Sequence, residues 1–477
     1  MRVLLVKPRP DAVQFGLAPF FQTEPLGLEY IAAALKERNH IVKVLDMRFH
    51  KPRLSAAMKS FRPDIVGIAC LHILDASPTL SLAREAKAFD RNVFVVVGGH
   101  AASAYPEALK ESHSIDALCI GEGESSLPAL CDAIERKQSI AEIPSLALRS
   151  EFGGFRESHA EHELLDLQKI RIPDRSTVAE YRKNYCCLNY MSIYALETTR
   201  GCPHKCTFCS VWQFYRGSCR FHNHESVCRD FAIVGENVFI IDDIFWADSR
   251  RSKELAQMLK ESGTRKNWIL VQSRADIVAQ NPDLLELWRP LARNFDIFFG
   301  FESATTSGLD NLNKRMSTSE IVQAVEIARK LGYGVTGNFI IDPCYTREDF
   351  EELWQFIDRH KLYRSGFTIL TPLPGTEFFD QAKDSLHDFD WSHYDLHHLL
   401  WPPKLPVEQF FELYCETWRR SVLNLAGRKK WWSWLAGVKV SEIPRLARIL
   451  FRTQKLMKPE LYCSETVNFE SKSLPGS

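Results

Sequence analysis

The sequence lacks long apolar runs and an excess of either charge, and each absence excludes a class of function. No stretch of about 18 uninterrupted apolar residues occurs, so we expect no helix that crosses a membrane. The 60 basic and 60 acidic side chains balance, which predicts no chain-wide attraction to nucleic acid. Residues 1–7 predict a short strand rather than a charged leader with an apolar core and a cleavage site.

Length and cysteine content indicate the number of domains and the compartment. The 477 residues are too many for one typical domain and predict roughly two or three. The 13 cysteines are an odd number, and Cys70, Cys119 and Cys344 end or follow apolar runs, where a buried free thiol is the ordinary outcome. A reducing cytoplasm suits such thiols, so we expect a cytoplasmic protein.

Three closely spaced cysteines form the most informative motif. Cys202, Cys206 and Cys209 lie in the run Arg200-Gly201-Cys202-Pro203-His204-Lys205-Cys206-Thr207-Phe208-Cys209. A tight loop can turn the three sulfur atoms toward one point, and thiolate ligands favour an iron–sulfur cluster. Three ligands on a [4Fe–4S] cluster would leave one iron open to a small molecule. A disulfide would leave an odd thiol, and a zinc site would need a fourth ligand such as His204.

The first third of the chain alternates short apolar runs with helical spacing. Strands are predicted at 3–6, 41–45, 65–70, 93–97 and 117–120, and helices at 27–37, 77–88, 105–110 and 125–136. This order predicts a doubly wound parallel sheet, an α/β fold that binds ligands beyond the carboxyl ends of its strands. We assign residues 1–145 to this domain and 146–190, which lack clean periodicity, to a linker.

Two glycine-containing loops follow the fourth and fifth predicted strands. They are Gly98-Gly99-His100 and Gly121-Glu122-Gly123-Glu124. Glycine lets the backbone approach a large flat or phosphate-bearing ligand closely, although glycine after a strand often marks only a tight turn. Neither loop matches G-x-G-x-x-G with its acidic partner, which argues against a nicotinamide cofactor.

Residues 191–380 repeat strand and helix patterns of a second α/β domain. Six strands are predicted at 194–198, 238–241, 268–272, 297–301, 336–341 and 367–370, with helices such as 253–260 and 320–330 between them. Repeats of this kind close into a full or partial barrel whose chemistry lies at the carboxyl ends of the strands. Because six strands can be counted and eight cannot, we favour an open (β/α)6 barrel.

Polar residues at the ends of the barrel strands predict a cofactor shell. They are Asp242-Asp243, Ser273-Arg274 and Glu302-Ser303, together with Asn338 within the fifth strand and residues 371–376 after the sixth. Paired carboxylates can bind a divalent cation only with further oxygen ligands, and none cluster nearby, so we expect the two aspartates to contact substrate or cofactor. The alternative is that such acids and bases are ordinary rim residues.

The last segment, 381–477, is rich in aromatic, histidine and basic residues. An amphipathic helix is predicted at 407–423, followed by the run Arg428-Lys429-Lys430-Trp431-Trp432-Ser433-Trp434-Leu435. Basic residues beside tryptophans are typical of a helix at a membrane interface, and a helix packed on the barrel with a solvated basic face is the alternative. His393, His397 and His398 are interpreted as substrate-pocket or surface residues rather than as a metal site.

These motifs together resemble one family. The run Glu24-Pro25-Leu26-Gly27-Leu28-Glu29, the two glycine loops and the cysteine loop resemble those of cobalamin-dependent radical S-adenosylmethionine (SAM) enzymes. The resemblance implies a flavodoxin-like, or Rossmann-like, cobalamin-binding domain, a partial (β/α)6 radical SAM barrel and a helical C-terminal region. Related cobalamin domains carry D-x-H-x-x-G, whose histidine ligates cobalt from below, and no such motif occurs here. Cobalamin without a lower histidine is therefore implied, and His72 and His100 are expected to be loop or packing residues rather than cobalt ligands.

The resemblance also implies which residues hold the cofactors. The three cysteines would bind the [4Fe–4S] cluster, and a flavodoxin- or ferredoxin-type protein would donate the electron. The SAM-binding residues would be Arg274, which could pair with the carboxylate, Glu302, which could contact the amino or ribose groups, Ser303 and Asn338. The loops at the strand ends of the first domain would bind cobalamin through Gly98, Gly99, His100, Gly121, Glu122, Gly123 and Glu124.

The implied reaction is methyl transfer to an unactivated carbon. A 5′-deoxyadenosyl radical would remove a hydrogen atom from the substrate, and methylcobalamin would deliver the methyl group. Within the family the motifs and the basic tail are most similar to methyltransferases of the hopanoid C-3 methylase type, which implies a lipidic, hopanoid-like substrate at the inner face of the membrane. The alternatives are an oxidative cyclase or methylase of a tetrapyrrole, and a non-enzymatic cobalamin and redox sensor.

Overall fold

A computed structural model describes most of the chain, with several gaps. The described residues are 1–11, 15, 20–49, 53–110, 112–150, 153–158, 164–188, 190–386, 390–421, 443–466 and 469. The basic tryptophan-rich run at 428–435 lies outside them. One large sheet dominates each of the two α/β regions.

The described residues contain 18 strands in four sheets. In chain order they are β1 (Arg2–Lys7), β2 (Phe21–Gln22), β3 (Ile41–Asp46), β4 (Ile65–Ala69), β5 (Phe94–Gly98), β6 (Ala117–Cys119), β7 (Leu146–Arg149), β8 (Phe155–Glu157), β9 (Cys186–Cys187), β10 (Tyr190–Met191), β11 (Tyr194–Leu196), β12 (Thr199–Arg200), β13 (Arg220–Phe221), β14 (Asn237–Ile240), β15 (Lys266–Ser273), β16 (Ala292–Glu302), β17 (Gly334–Ile341) and β18 (Ser365–Ile369).

Helices separate most of these strands. The α-helices are α1 (Leu26–Glu37), α2 (Leu54–Phe61), α3 (Ala76–Phe89), α4 (His100–Ala104), α5 (Gly123–Glu135), α6 (Val211–Phe214), α7 (His224–Ile233), α8 (Ser249–Glu261), α9 (Ala275–Gln280), α10 (Pro282–Trp288), α11 (Thr306–Asn311), α12 (Thr318–Lys330), α13 (Arg347–His360), α14 (Glu377–Ala382), α15 (Val407–Ser421), α16 (Ile443–Lys455) and α17 (Pro459–Glu465). The 3₁₀ helices span Ile73–Asp75, Pro106–Leu109, Arg175–Asn184, Arg289–Leu291, Lys383–Ser385 and Trp391–His393.

The first sheet confirms the predicted doubly wound domain. Its strand order is β3-β1-β4-β5-β6-β7-β8, and the first five strands are parallel. Strands buried on both faces read as continuous apolar runs, which is why β1, β4 and β5 stand out in the sequence. The antiparallel pair β7 and β8 extends this sheet with residues that the sequence analysis assigns to the linker. The helix predicted at 105–110 is only a 3₁₀ turn, and α2 and α4 were not predicted.

The second sheet is the predicted open, six-stranded barrel. Its order β11-β14-β15-β16-β17-β18 follows the chain, and every neighbouring pair is parallel. Two of its helices begin with capping boxes, in which Ser317 pairs with Glu320 and Thr346 with Asp349. Such boxes satisfy amides that the first turn of a helix leaves unbonded. Because all six strands are parallel, their carboxyl ends lie at one edge of the sheet, where the sequence places its polar residues.

Two shared cores join the first domain to the barrel. Tyr181 and Tyr185, in the segment that links them, pack with Leu5 of the first sheet and Trp268 of the barrel. After the barrel, residues including Phe379, Tyr394 and Leu400 pack against the other face of the first sheet. Both connections are apolar and buried.

The C-terminal region adds helices to the barrel. The amphipathic helix predicted at 407–423 is present as α15, whose predicted last residues lie beyond the described range. It buries Phe410, Tyr414 and Trp418 against the barrel core. No helix among the described residues is both long enough and apolar enough to cross a membrane.

Candidate functional site

The cysteine loop begins at a glycine whose backbone conformation excludes larger residues. β12 pairs with β13, and Gly201 follows β12 with a φ of 93°. A Cβ atom at Gly201 would overlap the carbonyl oxygen of Ser218. The Gly201 amide donates a hydrogen bond to the Oδ2 atom of Asp243 at 2.8 Å. This tight turn fixes where the three cysteines start.

Main-chain hydrogen bonds hold the cysteine loop against its neighbours. The Thr207 amide donates to the Leu312 carbonyl at 3.2 Å, and its carbonyl accepts from the Phe378 amide at 3.0 Å. The Trp212 indole nitrogen donates to the Cys206 carbonyl at 3.1 Å. The loop is therefore anchored by residues that follow the fourth and sixth barrel strands.

The three thiols fit a multi-iron cluster better than a single zinc ion. All three are free, with Cys206 buried and Cys202 and Cys209 half-buried. Burial raises the pKa of the Cys209 thiol to about 12. The three sulfur atoms do not form a group that converges within 4.8 Å, whereas thiolates around one zinc ion lie about 3.8 Å apart. A [4Fe–4S] cluster spreads its thiolates over its corners, so this donor set fits it.

Arg274 retains an unused donor beside the cysteine loop. Its Nε and Nη2 atoms donate to the Asp276 carboxylate at 2.9 and 2.8 Å, and Nη2 also donates to the Lys314 carbonyl at 2.9 Å. Its Nη1 atom is buried and has no hydrogen-bond partner among the described residues. An unpartnered guanidinium nitrogen fits the carboxylate of a bound ligand.

Glu302 carries an ion pair that the sequence did not indicate. It has a left-handed φ of 57° at an irregularity between β16 and β17. Its Oε1 atom accepts from the Nζ atom of Lys314 at 2.7 Å, and both side chains are buried. The Lys314 ammonium also lies 5.9 Å from the centre of the Phe208 ring in the cysteine loop. A positive charge thus sits directly beside the predicted cluster site.

The other two predicted SAM-binding residues bond within the barrel. The Ser303 hydroxyl accepts from the Thr305 amide at 3.1 Å. The Asn338 amide nitrogen donates to the Thr368 hydroxyl at 2.8 Å. Ser303 follows the end of β16 and Asn338 lies within β17, as predicted, but each already has a local partner.

Asp242 is a structural residue, which corrects the expectation that both aspartates contact ligands. It is fully buried and accepts hydrogen bonds from the amide and the hydroxyl of Thr198. Desolvation raises its pKa to about 6 despite these bonds. Asp243 is exposed, but its carboxylate orients the Gly201 amide. The pair therefore shapes the approach to the cysteine loop.

The first glycine loop contacts the cysteine loop directly. Gly99 has a φ of 115°, and a Cβ atom there would lie 2.6 Å from the Cys70 carbonyl oxygen. The Nε2 atom of His100 lies 2.6 Å from the Ser210 hydroxyl, and its ring stacks on Phe214 at 4.6 Å. Desolvation lowers the pKa of His100 to about 4, so the ring is neutral at pH 7. His100 therefore links the two domains next to Cys209, a role that the sequence did not reveal.

The acidic side chains of the second glycine loop form ion pairs that the sequence did not indicate. Arg200 contacts Glu122 at 2.8 Å, Glu124 at 2.7 Å and Glu197 at 2.9 Å. Arg220 binds Glu122 at 2.8 Å from the neighbouring strand. All five side chains are largely buried. The loop therefore reaches its partner domain through Arg200, the residue just before Gly201.

The remaining glycines of these loops are tightly packed. A Cβ atom at Gly98 would lie 3.1 Å from that of Cys119, and one at Gly123 would lie 3.1 Å from the Ile31 side chain. Gly121 has a φ of 82°, and its amide donates to the Ser103 hydroxyl. Small residues are thus required here by local packing as well as by any ligand.

The three C-terminal histidines do not form one group. His397 is buried, and its Nδ1 atom lies 2.9 Å from the Tyr414 hydroxyl. His393 and His398 instead stack on each other, with ring centres 4.6 Å apart. His398 is also buried, so neither His397 nor His398 is a surface residue.

Family models match one segment in each of the two α/β domains. Residues 17–131 match the family described as the B12 binding domain, and residues 196–357 match the radical SAM superfamily. The first match contains both glycine loops, and the second contains the cysteine loop and β11 to β17. The residues that the geometry brings together thus lie in segments that match two cofactor-binding families.

Individual relatives cover almost the whole chain. The hopanoid C-3 methylase of Methylococcus capsulatus is 28% identical, covering 98% of this chain and 89% of that protein. An anaerobic magnesium-protoporphyrin IX monomethyl ester cyclase of Rubrivivax gelatinosus is 24% identical, covering 89% and 78%. The fold is similar to that of the cobalamin-dependent SAM radical enzyme OxsB, with a TM-score of 0.74 and 15% identity, covering 95% of this chain and 71% of that one.

Proposed function

Because the chain belongs to the cobalamin-binding radical SAM enzymes, we propose that it methylates an unactivated carbon of a lipidic, hopanoid-like substrate. The first domain is a B12-binding domain and the barrel is a radical SAM domain. Cobalamin, SAM and a [4Fe–4S] cluster are accordingly its cofactors, and the protein is a methyltransferase.

The contact between the two cofactor domains carries this proposal. Transfer of a methyl group to a carbon radical requires both cofactors to lie within reach of one substrate carbon. It also requires that solvent be excluded from the radical. His100, at the strand end of the first domain, lies 2.6 Å from Ser210, the residue after Cys209. Such a direct contact supports a reaction in which the two cofactors act on one bound substrate.

The residues of the chain have distinct roles in this proposal. When bound, SAM on the cluster supplies a 5′-deoxyadenosyl radical, and cobalamin supplies the methyl group. Cys202, Cys206 and Cys209 hold the cluster, and the free Nη1 atom of Arg274 binds the ligand carboxylate. The buried Lys314 ammonium, which pairs with Glu302, counteracts the rise that burial imposes on the pKa of the Cys206 thiol.

Glu302, Ser303 and Asn338 are retained in the proposal as contacts to the amino and ribose groups of SAM. Each would have to share its present intramolecular partner. The glycine loops, with His100, would surround cobalamin. Glu122 and Glu124 would contribute mainly through their main chain, because their carboxylates are bound to arginine. A flavodoxin- or ferredoxin-type donor would reduce the cluster.

A lipidic substrate is supported by sequence similarity to the hopanoid C-3 methylase and by the surface of α16. Ile443 and Phe451 on this helix are 53% and 64% exposed, and Arg448 and Lys455 are exposed beside them. Apolar and basic side chains on one face suit an anionic membrane surface. We infer that α16 and the basic run at 428–435 dock there.

Vesicle flotation tests this docking. The double variant Ile443→Ser, Phe451→Ser should lose binding to phosphatidylglycerol vesicles, since the apolar contact is removed. Ile233→Ser, at another exposed apolar residue on α7, is the matched control and should bind normally. Unchanged flotation of the double variant would show instead that the helix merely packs on the barrel.

Lipid analysis of the host tests the substrate class. Extracts from a strain lacking this chain should lack one polycyclic lipid and accumulate the same lipid without one methyl group. Complementation with the wild-type chain should restore it, and complementation with Cys206→Ala should not. Identical lipid profiles in all strains would reject a lipidic substrate.

A tetrapyrrole is the second candidate substrate, because the cyclase of Rubrivivax gelatinosus is similar over 89% of this chain. An oxidative cyclase would remove hydrogen or add oxygen without adding carbon. Accumulation of a tetrapyrrole precursor in the deletion strain, with unchanged lipids, would favour this function. A non-enzymatic sensor is disfavoured, since the matched relatives are enzymes.

A further inference from the structure

Two histidines and a glutamate meet from distant parts of the chain. One donor atom each from His393, His398 and Glu465 lies within 4.8 Å of the others. His393 ends a 3₁₀ helix after the barrel, and Glu465 ends α17. His398 is buried, and the other two are half-buried. The group is separate from the residues assigned to the cluster, SAM and cobalamin.

His398 is oriented in the way that metal-binding histidines commonly are. Its Nδ1 atom lies 2.8 Å from the Oδ1 atom of Asp395, whose side chain is 1% exposed. A hydrogen bond to this carboxylate places the proton on Nδ1 and leaves a lone pair on Nε2. The same Oδ1 atom accepts from the main-chain amides of His397 and His398, so the carboxylate itself is held in place.

An apolar wall shields one side of the group. The Phe15 ring meets His398 edge-on at 5.2 Å and stacks on Tyr462 at 4.1 Å. Tyr462 lies on α17, one turn before Glu465. Low-polarity surroundings strengthen the attraction between a cation and its ligands and limit competition from water.

A second histidine–carboxylate group differs from the first because protein cations neutralise its carboxylates. It consists of His40, Asp132 and Glu135. The N-terminal amino group binds Glu135 at 3.1 Å, and Arg38 binds Asp132 at 2.9 Å. Protein cations therefore occupy its carboxylates. By contrast, no lysine or arginine within the described ranges forms an ion pair with Glu465.

We propose that His393, His398 and Glu465 bind one divalent transition-metal ion, with zinc as the best match. Two imidazole nitrogens and one carboxylate oxygen are a zinc-type ligand set, whereas calcium and magnesium prefer oxygen ligands throughout. Three protein ligands leave a fourth position for water. Asp395 orients His398 from behind as a positioning residue.

The site has a structural consequence for the C-terminal region. The ion would fasten the end of α17 to the segment that contains His393 and His398. That segment also packs on the first domain through Tyr394 and Leu400. Binding would therefore stabilise the closed arrangement of the C-terminal helices over both domains, since a metal bound only by the folded state adds to its stability.

Metal analysis of the fully loaded enzyme tests this site. The holoenzyme, with cluster and cobalamin, is incubated with zinc chloride, desalted and analysed for zinc, iron and cobalt by mass spectrometry. The wild type should retain about one zinc per chain with unchanged iron. His398→Asn and Glu465→Gln should retain less than about a fifth of that amount, and Asp132→Asn in the neutralised group should match the wild type.

A second measurement separates loss of the site from loss of folding. Zinc should raise the Tm of wild type and of Asp132→Asn and leave the Tm of His398→Asn unchanged. Circular dichroism checks that each variant is folded. The proposal would be overturned if the wild-type holoenzyme retained no zinc above background. It would also be overturned if zinc changed the Tm of all variants equally, whatever happens to their activity.

Discussion

Gly201 lies directly before the first cluster cysteine and has a φ that L-residues rarely adopt. We predict that Gly201→Ala loses most of its iron and about 2–4 kcal/mol of stability, because strain and overlap with the Ser218 carbonyl add together. Gly217→Ala is the matched control, since Gly217 also has a positive φ but open space around it. It should keep its iron and lose only about 1 kcal/mol. Iron analysis and urea unfolding measure both; equal losses would contradict the argument.

Arg274 offers a test of the SAM site that is independent of the cysteines. Replacing it with Gln removes the free Nη1 donor, and a charge-assisted hydrogen bond is worth about 1.5–3 kcal/mol. We therefore predict that the Kd for SAM rises at least about tenfold in Arg274→Gln, measured calorimetrically on cluster-loaded protein. Arg289→Gln, an arginine that bonds only main-chain carbonyls, is the control and should bind SAM normally. A normal Kd in Arg274→Gln would exclude this residue.

His100 predicts a pH dependence with a defined sign. Its pKa is lowered from 6.5 to about 4 in the folded protein, so the unfolded chain binds more protons between these values. The contribution of His100 to stability is therefore present above pH 6.5 and is lost as the pH falls toward 4. We predict that the stability advantage of the wild type over His100→Gln shrinks by about 1 kcal/mol between pH 7 and 5.5.

Urea unfolding of both proteins at several pH values measures this difference. Buried carboxylates such as Asp242, whose pKa is raised, change stability in the opposite direction. They are present in both proteins, so their effect cancels. An advantage that stays constant down to pH 5 would mean that His100 can be protonated where it lies.

At the scale of elements, the pair β12–β13 connects the cysteine loop to the second glycine loop. Arg200 on β12 neutralises Glu122, Glu124 and Glu197, so its loss leaves buried like charges together. We predict that Arg200→Met costs about 3–5 kcal/mol and weakens binding of both cobalamin and iron. Arg220→Met removes a partner of Glu122 alone and should cost less.

A combined variant shows whether charge or packing is responsible. Adding Glu124→Gln to Arg200→Met removes one of the unpaired charges and should restore part of the stability and of the cobalamin affinity. Absorbance titration with cobalamin and iron analysis report on the two loops separately. If Arg200→Met alters only one of them, the two loops are not coupled through this residue.

The sequence was sufficient for elements that carry their own pattern. β1, β4 and β5 appear as apolar runs because both faces are buried, and the cysteine spacing alone indicated the cluster loop. β7 and β8 were missed because they are short and lie on either side of Gly153-Gly154, which has the composition of a linker. Local pattern thus predicts an element only where the element is long or buried enough to impose it.

The contacts of the site could not be predicted, because they join residues far apart in the chain. Glu122 and Arg200 are 78 positions apart, and His100 and Ser210 are 110 apart. Glu302 and Lys314 are only 12 apart, yet their pairing depends on the irregular end of β16. Residue type suggested ligand contacts for Glu122 and Glu302, and the tertiary structure adds arginine and lysine partners that the sequence does not reveal.

At the scale of the whole molecule, the two domains are held in one arrangement by apolar contacts on both sides of the first sheet. The linking segment contributes Tyr181 and Tyr185, and the segment after the barrel contributes Tyr394 and Leu400. The strand ends of both sheets consequently meet at the cysteine loop. This shared packing suits chemistry that needs two cofactors at one substrate better than independent use of either.

The mass of the reaction product distinguishes methyl transfer from oxidation. The reconstituted enzyme, with cobalamin, a reductant and SAM carrying a deuterated methyl group, is incubated with lipid extract from the deletion strain. We predict that one lipid gains a single deuterated methyl group and that 5′-deoxyadenosine is formed. Neither product should form with Cys206→Ala. A product that has lost hydrogen or gained oxygen without the label, or label transfer that continues in Cys206→Ala, would contradict it.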